Sequence, residues 1–193
     1  MKQKIKVRLL TNNGVLPGLT HKGDWIDLCA AATVEFKVPQ IFYNKGKDKP
    51  PSAKNNPQWF NYFDYAEQGK PKGLVFDYQL IPLGIAIQLP PGYEAVIAPR
   101  SSTFKYYGLI CANSIGVIDN TYSGNNDQWM FAAIAFKDTI VAEGQRVCQF
   151  RIQLSQKASI FQKIKWLFTN KFEFIQTDNL DNSDRGGFGS TGI

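Results

Sequence analysis

The chain has 193 residues, 44% of them hydrophobic and 13% aromatic, which is enough for one packed domain and excludes a protein that is disordered throughout. Its formal net charge of +6 indicates an anionic partner, whether a nucleic acid, a membrane surface or a small ligand. The chain has no run of about 18 apolar residues and no apolar block typical of a signal peptide, so we expect a cytoplasmic protein without a membrane span.

Short strands are predicted along most of the chain. Residues 1–38 contain two alternating segments, KIKVRLL and ATVEFKV, with turn sequences between them. From residue 74 onward, short apolar runs alternate with Pro and Gly turns as far as QRVCQFRIQL. Many short strands at close spacing predict an all-β protein, either a barrel or a jelly roll.

A first insertion is predicted at about residues 40–73, which are rich in Lys, Asn, Pro and aromatic residues. We expect a loop here, with a short helix around NPQWFNYFDYAEQG. Its aromatic residues could stack on nucleic-acid bases, although pinning the loop to its own domain is the simpler role. These residues are Trp59, Phe60, Phe63 and Tyr65.

A second insertion, at about residues 156–171, has the spacing of an amphipathic helix. Its apolar positions are Ile160, Phe161, Ile164, Leu167 and Phe168, and its basic positions are Lys157, Lys163, Lys165 and Lys171. A basic amphipathic helix can contact a membrane or a partner. We nevertheless expect the apolar stripe to pack on its own protein, which is the commoner arrangement.

The cysteines and the histidine do not predict a metal centre or a disulfide framework. Cys29, Cys111 and Cys148 are far apart and lie in apolar or strand-like sequence, and His21 is the only histidine. We expect the thiols to be small buried side chains.

Polar segments interrupt the predicted strands at residues 23–28, 98–102, 113–124, 144–149 and 184–193. In APRSS, Arg100 offers a guanidinium fork and Ser101 and Ser102 offer hydroxyl donors, a combination suited to phosphate. In GQRVCQ, Arg146 and Gln149 interrupt an apolar strand and therefore need polar partners, either in a sheet or in a ligand.

The third and fifth polar segments carry the remaining candidates. Asp119 follows an apolar triplet and precedes a turn, so its carboxylate could orient and deprotonate a water molecule, or could simply form an Asx turn. Tyr122 follows in the same hairpin. The tail, DRGGFGSTGI, reads either as a disordered terminus or as a flap for a planar, phosphorylated ligand.

The order DL, PRSS, GVIDxxYxG, GxRxxQ and RG-GFGSTG resembles the five motifs of the trimeric dUTPase family, over roughly residues 5–39, 74–154 and 172–193. The resemblance implies a jelly-roll homotrimer with a single β domain at residues 1–183 and a C-terminal arm at 184–193 that closes a neighbouring active site. It also implies Mg²⁺-dependent hydrolysis of dUTP to dUMP and pyrophosphate by attack of water on the α-phosphorus. Such an enzyme keeps uracil out of DNA and supplies dUMP for thymidylate synthesis.

The resemblance implies a role for each matching residue. Asp119 would orient the water, Asn113 would read uracil, Tyr122 would lie beneath the sugar, and Asp27 would bind a water of the Mg²⁺ shell. Phe188 would stack on uracil. Phosphate contacts would come from Arg100, Ser101, Ser102, Gln149, Arg185, Ser190 and Thr191, with Arg146 either beside the phosphates or in the trimer contact.

The chain departs from the family pattern at three places. The family usually has AGxDL, whereas DWIDL here places Trp25 and Ile26 before Asp27, and Thr121 replaces an acidic residue before the tyrosine. Arg185 and Phe188 are three residues apart rather than five, which shortens the reach of an extended arm by about 7 Å. Two alternatives stay open: a dCTP deaminase of the same fold, and a regulatory or nucleic-acid-binding protein whose insertions contact a nucleic acid or protein partner.

Overall fold

The fold is seen in a computed structural model, which describes residues 2–12, 14–18, 24–37, 40–43, 59–61, 71–169 and 171–187. The strands are β1 (Lys2–Leu9), β2 (Ile26–Cys29), β3 (Val34–Phe36), β4 (Gln40–Tyr43), β5 (Trp59–Asn61), β6 (Pro71–Pro82), β7 (Ile85–Gln88), β8 (Tyr93–Pro99), β9 (Leu109–Cys111), β10 (Gly116–Asp119), β11 (Met130–Ala135), β12 (Thr139–Val141), β13 (Arg146–Leu154) and β14 (Lys171–Gln176). The helices are α1 (Thr103–Tyr107) and α2 (Ile160–Thr169). The all-β prediction is confirmed.

The strands form separate small sheets around one core. β14, β1 and β7 make one sheet, and β10, β8, β13 and β2 make a second. A third sheet joins β4 and β5 to β6 and continues to β11 and β9, while β12 pairs with β3. All pairings are antiparallel except that of β1 with β14, which are far apart in the sequence.

Alternation along the strands decides which side chains enter the core. In β1, Ile5 and Val7 are buried, and in β8 the residues Tyr93, Ala95 and Ile97 are buried. Their neighbours point outward, as the two-residue period of a strand requires. The centre of the core contains Trp129 packed edge-on against Phe150, with ring centroids 5.1 Å apart.

The predictions for the two insertions have different outcomes. The predicted helix around residues 56–69 is wrong at Trp59–Asn61, which form β5 and pair with β6; the rest of that segment lies outside the described residues. The helix of the second insertion is confirmed as α2. Its apolar stripe does not pack on the core, however, because all five of its side chains are exposed.

The prediction of buried thiols is confirmed for Cys111 and Cys148 but not for Cys29. Cys111 and Cys148 are buried and Cys29 is half-buried, and all three are free thiols. In the part of the chain that the structure describes, no helix is long and apolar enough to cross a membrane.

Candidate active site

One cluster of predicted site residues forms where β2, β13 and the end of β8 meet. Arg100 Nε lies 2.8 Å from Asp27 Oδ1, and Arg146 Nη1 lies 2.9 Å from Asp27 Oδ2. Two guanidinium groups thus share one carboxylate, which leaves the cluster with excess positive charge. Such a cluster suits a polyanionic ligand.

A β-bulge shapes this cluster. β13 pairs Arg146 with Cys29 but Cys148 with Leu28, so Val147 is the extra residue. The bulge allows Val147 and Cys148 to be buried in succession while Arg146 remains exposed beside Asp27. Simple strand alternation would not place these side chains in this way.

The turn that carries Arg100 is held by a residue that sequence reasoning missed. Thr103 is fully buried; its hydroxyl donates to the carbonyl oxygen of Val147 at 2.6 Å and accepts from the backbone N–H of Arg100 at 3.1 Å. Gln149 Nε2 donates to the carbonyl oxygen of Pro99 at 3.2 Å, which ties β13 to the same turn. The only sequence signal for this role of Thr103 was its hydroxyl, directly after PRSS.

The two predicted serines lie in the same turn. Ser102 begins α1, and Arg100 Nη1 lies 3.4 Å from its hydroxyl oxygen. Ser101 is exposed. The structure therefore brings together Asp27, Arg100, Ser101, Ser102, Arg146 and Gln149, which we call the phosphate half-site.

A second cluster forms around Asp119 at the end of β10. The backbone N–H of Thr121 donates to Asp119 Oδ1 at 2.8 Å, and the Thr121 hydroxyl donates to the same oxygen. Arg185 Nη1 lies 2.7 Å from Asp119 Oδ2. Partial burial pushes the pKa of Asp119 upward, but the Thr121 bonds and the Arg185 charge outweigh burial and hold the pKa below its usual value.

Asp119 stands at the edge of a cavity of about 330 Å³. The cavity lining includes Asn113, Tyr122 and Trp129 together with residues 116–118. The Tyr122 hydroxyl donates to the carbonyl oxygen of Gln128 at 2.8 Å, so the ring is fixed against the cavity wall. This size and mixed lining suit a nucleoside, and we call the cluster the nucleoside half-site.

The C-terminal segment lies over the nucleoside half-site of its own chain. Arg185, Gly186 and Gly187 line the cavity. Gly186 has a φ of 73°, a backbone conformation that favours glycine. A Cβ on Gly187 would lie 3.0 Å from the Tyr122 ring, so a larger residue there would require the ring to shift by a few tenths of an ångström.

A second missed residue, Asp127, anchors this segment. Asp127 is 1% exposed and accepts backbone N–H groups from Gly124, Arg185 and Gly186, at distances of 2.8 to 3.1 Å. Asp184 adds contacts to the backbone N–H of Asn126 at 2.8 Å and to its side-chain amide at 2.6 Å. Sequence reasoning had no signal for Asp127, because two of its three backbone donors, those of Arg185 and Gly186, are about 60 residues away.

The two half-sites are far apart within one chain. Asp119 is paired with Glu94 in the β10–β8 ladder, whereas Arg100 follows the opposite end of β8. Six residues of extended strand span about 20 Å, which exceeds the combined reach of the two side chains. The structure therefore brings each half together without joining them in a single chain.

The remaining sequence expectations concern Trp25, Ile26 and the end of the tail. Ile26 is buried and paired with Phe150, and the Trp25 ring packs 5.8 Å from the Arg151 guanidinium carbon, so both residues serve packing while Asp27 keeps its place in the cluster. Phe188, Ser190 and Thr191 lie outside the described residues.

Comparisons with known proteins agree with this geometry. The family model described as dUTPase matches residues 71–192. The SPbeta prophage-derived deoxyuridine 5'-triphosphate nucleotidohydrolase of Bacillus subtilis (strain 168) is 37% identical over 189 residues, covering 98% of each chain. The alignment with this relative spans the segments that contain both half-sites.

Solved structures show the same fold at lower identity. The dUTPase from Streptococcus mutans superposes with a TM-score of 0.55 at 19% identity, over 80% of this chain and 98% of that one. A mutant dUTPase from phage phi11 of S. aureus, whose structure describes a structural Mg(II) ion, gives a TM-score of 0.53 at 16% identity over 81% and 94%. The predicted jelly-roll fold is thereby confirmed, and the chain belongs to the dUTPase family, the deoxyuridine 5'-triphosphate nucleotidohydrolases.

Proposed function

We propose that this dUTPase converts dUTP to dUMP and pyrophosphate with Asp119 as the group that orients and deprotonates the attacking water. The observation that carries the proposal is the position of an ionised carboxylate at the edge of a nucleoside-sized cavity. Water attacks the α-phosphorus, the bond to the bridging oxygen breaks, and pyrophosphate leaves. The water proton passes to the Asp119 carboxylate.

Two residues of the nucleoside half-site orient the substrate in this proposal. Asn113 and the hairpin backbone present polar groups to the uracil edge, and Tyr122 lies beneath the sugar. Both line the cavity with Asp119, and the Tyr122 ring is fixed by its bond to Gln128. A fixed ring can exclude a 2′-hydroxyl by contact alone, because it cannot move aside.

The phosphate half-site binds the triphosphate. Arg100 and Arg146 supply charge, and Ser101, Ser102 and Gln149 supply neutral donors. Fixed donors of this kind stabilise the charge that develops on the leaving phosphates.

Mg²⁺ fits this arrangement as an ion held mainly by the substrate. Among the described residues, no three His, Cys, Asp or Glu side chains gather as a metal site. Asp27 supplies one carboxylate beside the phosphate donors, which suits an ion that keeps its waters and takes most of its ligands from phosphates. Bound there, Mg²⁺ would neutralise phosphate charge, and Asp27 would hold one of its waters.

A homotrimer is part of the proposal because the separation of the half-sites requires more than one chain. In a cyclic assembly, the phosphate half-site of one chain can face the nucleoside half-site of its neighbour. Exposed large apolar side chains support such a contact: Ile115 and Val117 flank the hairpin of Asp119, and Val117 is 60% exposed. We place the enzyme in the cytoplasm, as expected from the sequence.

The arm of residues 184–193 closes the site in this proposal. Its described part, up to Gly187, lies on the nucleoside half-site of its own chain, so the phosphate half-site that it closes belongs to a neighbouring chain. Phe188, Ser190 and Thr191 follow directly and would cover uracil and the outer phosphates, together with Arg185.

Mixing two inactive variants tests the shared site. Asp119→Asn and Arg100→Ala chains are refolded together and assayed for pyrophosphate release from dUTP. In a randomly assembled mixture, about a quarter of the sites combine the intact phosphate half-site of an Asp119→Asn chain with the intact nucleoside half-site of an Arg100→Ala chain. Activity should therefore return to about a quarter of the wild-type value. The control is the double variant mixed with wild type, which reports how fully chains exchange. No recovery despite full exchange would contradict a site shared between chains.

A further inference from the structure

Helix α2 presents a continuous apolar face that no described part of the chain covers. Its five large apolar side chains are 51–81% exposed. They are Ile160, Phe161, Ile164, Leu167 and Phe168. At 100° per residue these positions fall within one third of the helix circumference, and we call them the apolar face of α2.

The opposite side of α2 is fixed to the domain. Trp166 packs on Tyr93 and Phe172, with ring centroids 5.4 and 5.7 Å away. Gln162 donates to the carbonyl oxygen of Pro91 at 2.9 Å and forms a reciprocal capping pair with Ser159 at the start of the helix. Because Gln162 and Trp166 are four residues apart, they lie on one side, and the apolar face points directly away from the protein.

The apolar face is surrounded by positive charge. Lys163 and Lys165 border it on its two sides, and Lys157 and Lys171 lie before and after the helix. All four lysines are exposed. The sequence has no Asp or Glu from residue 144 to residue 172, so no acidic side chain of this segment offsets them.

We propose that the apolar face of α2 docks on an anionic lipid surface. The apolar side chains would enter the boundary between headgroups and acyl chains, with α2 lying in the plane of the surface. Lys163 and Lys165, on the two borders, would extend toward lipid phosphates while their methylene stems stay beside the acyl chains. The charge and the shape of this face both fit such a surface.

A second copy of the chain fits this face less well. The five apolar residues alone expose roughly 600–700 Å², short of the roughly 800 Å² per partner of a stable protein interface. A two-fold contact through α2 would also bring four lysines against the same four lysines of the other copy. An acidic groove on another protein would relieve that repulsion, and the test below treats it as a competing outcome.

Docking through α2 leaves the candidate active site accessible. None of the five apolar side chains is among the described residues that line the cavity at Asp119. α2 contacts Tyr93, which is next to the residue paired with Asp119, but the apolar face of α2 lies on the side of the helix opposite Trp166, away from β8. Variants in the apolar face should therefore hydrolyse dUTP like the wild type.

The test is cosedimentation of the full chain with vesicles of phosphatidylcholine alone and of phosphatidylcholine mixed with phosphatidylglycerol. We expect binding only to the anionic vesicles, falling with added salt. The double variant Phe161→Ser, Leu167→Ser should bind at least tenfold more weakly. Lys163→Gln should cost about fivefold. Ile140→Ser is the matched control, because Ile140 is an exposed apolar residue on another element.

Three results would overturn the proposal. The first is an absence of binding of the wild type to anionic vesicles at low salt. The second is vesicle binding that the double variant retains in full. The third is self-association of the wild type that the double variant abolishes, since a second copy would then be the occupant. If the wild type neither binds vesicles nor self-associates, an acidic protein partner remains the competing explanation. That result also counts against a lipid surface.

Discussion

Arg185 and Asp119 form an ion pair between the C-terminal segment and the hairpin of the candidate base, with 2.7 Å between Nη1 and Oδ2. Thr121 occupies the other carboxylate oxygen, Oδ1. Both carboxylate oxygens of Asp119 are therefore engaged by groups of the same chain. We expect the triphosphate to attract the Arg185 guanidinium, which frees Oδ2 for the water.

Replacement of Arg185 should change the pH dependence of the free enzyme. The guanidinium helps to hold the pKa of Asp119 below its ordinary value, so Arg185→Gln should raise that pKa. A carboxylate with a raised pKa is protonated at a higher pH, so the acidic limb of kcat/KM should move to higher pH. Measurement of kcat/KM for dUTP against pH checks the shift. An unmoved limb would show that the ion pair does not persist in solution.

Thr121→Val should move the acidic limbs of both kcat/KM and kcat to higher pH. The Thr121 hydroxyl bond also lowers the pKa of Asp119, and this bond stays within one hairpin when nucleotide binds. Arg185→Gln should shift kcat/KM alone, because Arg185 has left Asp119 in the complex. Thr121→Ser keeps the hydroxyl and should restore the wild-type profile. If the Thr121→Val and Thr121→Ser enzymes had identical pH profiles, the Thr121 hydroxyl would not be what lowers the pKa of Asp119.

Asp119→Asn should keep nucleotide affinity and lose turnover. The substitution preserves shape but removes the proton acceptor, and loss of general-base catalysis costs on the order of a hundredfold or more. Stopped-flow measurement of kcat and calorimetry with a non-hydrolysable dUTP analogue separate the two effects. Near-normal turnover would mean that another group activates the water.

Asp127→Asn should release the arm from its own chain. The buried carboxylate accepts hydrogen bonds from three different backbone N–H groups. In the asparagine variant, the side-chain NH₂ group would face backbone N–H groups, which are also donors. We expect a local cost of about 1–3 kcal/mol. Trypsin should then cleave after Arg185 roughly tenfold faster, as followed by mass spectrometry. Asp178→Asn, at an exposed position, is the control, and equal cleavage of the two variants would contradict the anchoring role.

The polar motifs predicted much of the site because each lies in a turn or at a strand end, where local sequence decides the placement. Asp27, Arg100 and Arg146 do meet, and Asp119, Asn113 and Tyr122 share one cavity. Thr103 and Asp127 were missed because each has a partner that is distant in sequence, Val147 for Thr103 and Arg185 for Asp127. A buried hydroxyl or carboxylate becomes recognisable only once its distant backbone donors and acceptors are known.

The helix of the second insertion shows the same limit for apolar residues. Periodicity correctly predicted a helix with one apolar stripe, but periodicity contains no information on what faces that stripe. Trp166, in the same segment, packs inward on Tyr93. In the first insertion, the aromatic residues Trp59 and Phe60 suit a strand as well as a helix, and pairing with β6 decides between them.

Strand β8 has a consequence for how the enzyme responds to dilution. One end of β8 lies beside Asp119 and the other leads to Arg100, so a solitary chain holds every proposed catalytic group and no complete site. Turnover per chain should therefore follow the law of mass action, falling steeply once the protein concentration drops below the dissociation constant of the assembly. A cell that makes little of this protein would have less dUTP hydrolysis than the number of chains suggests.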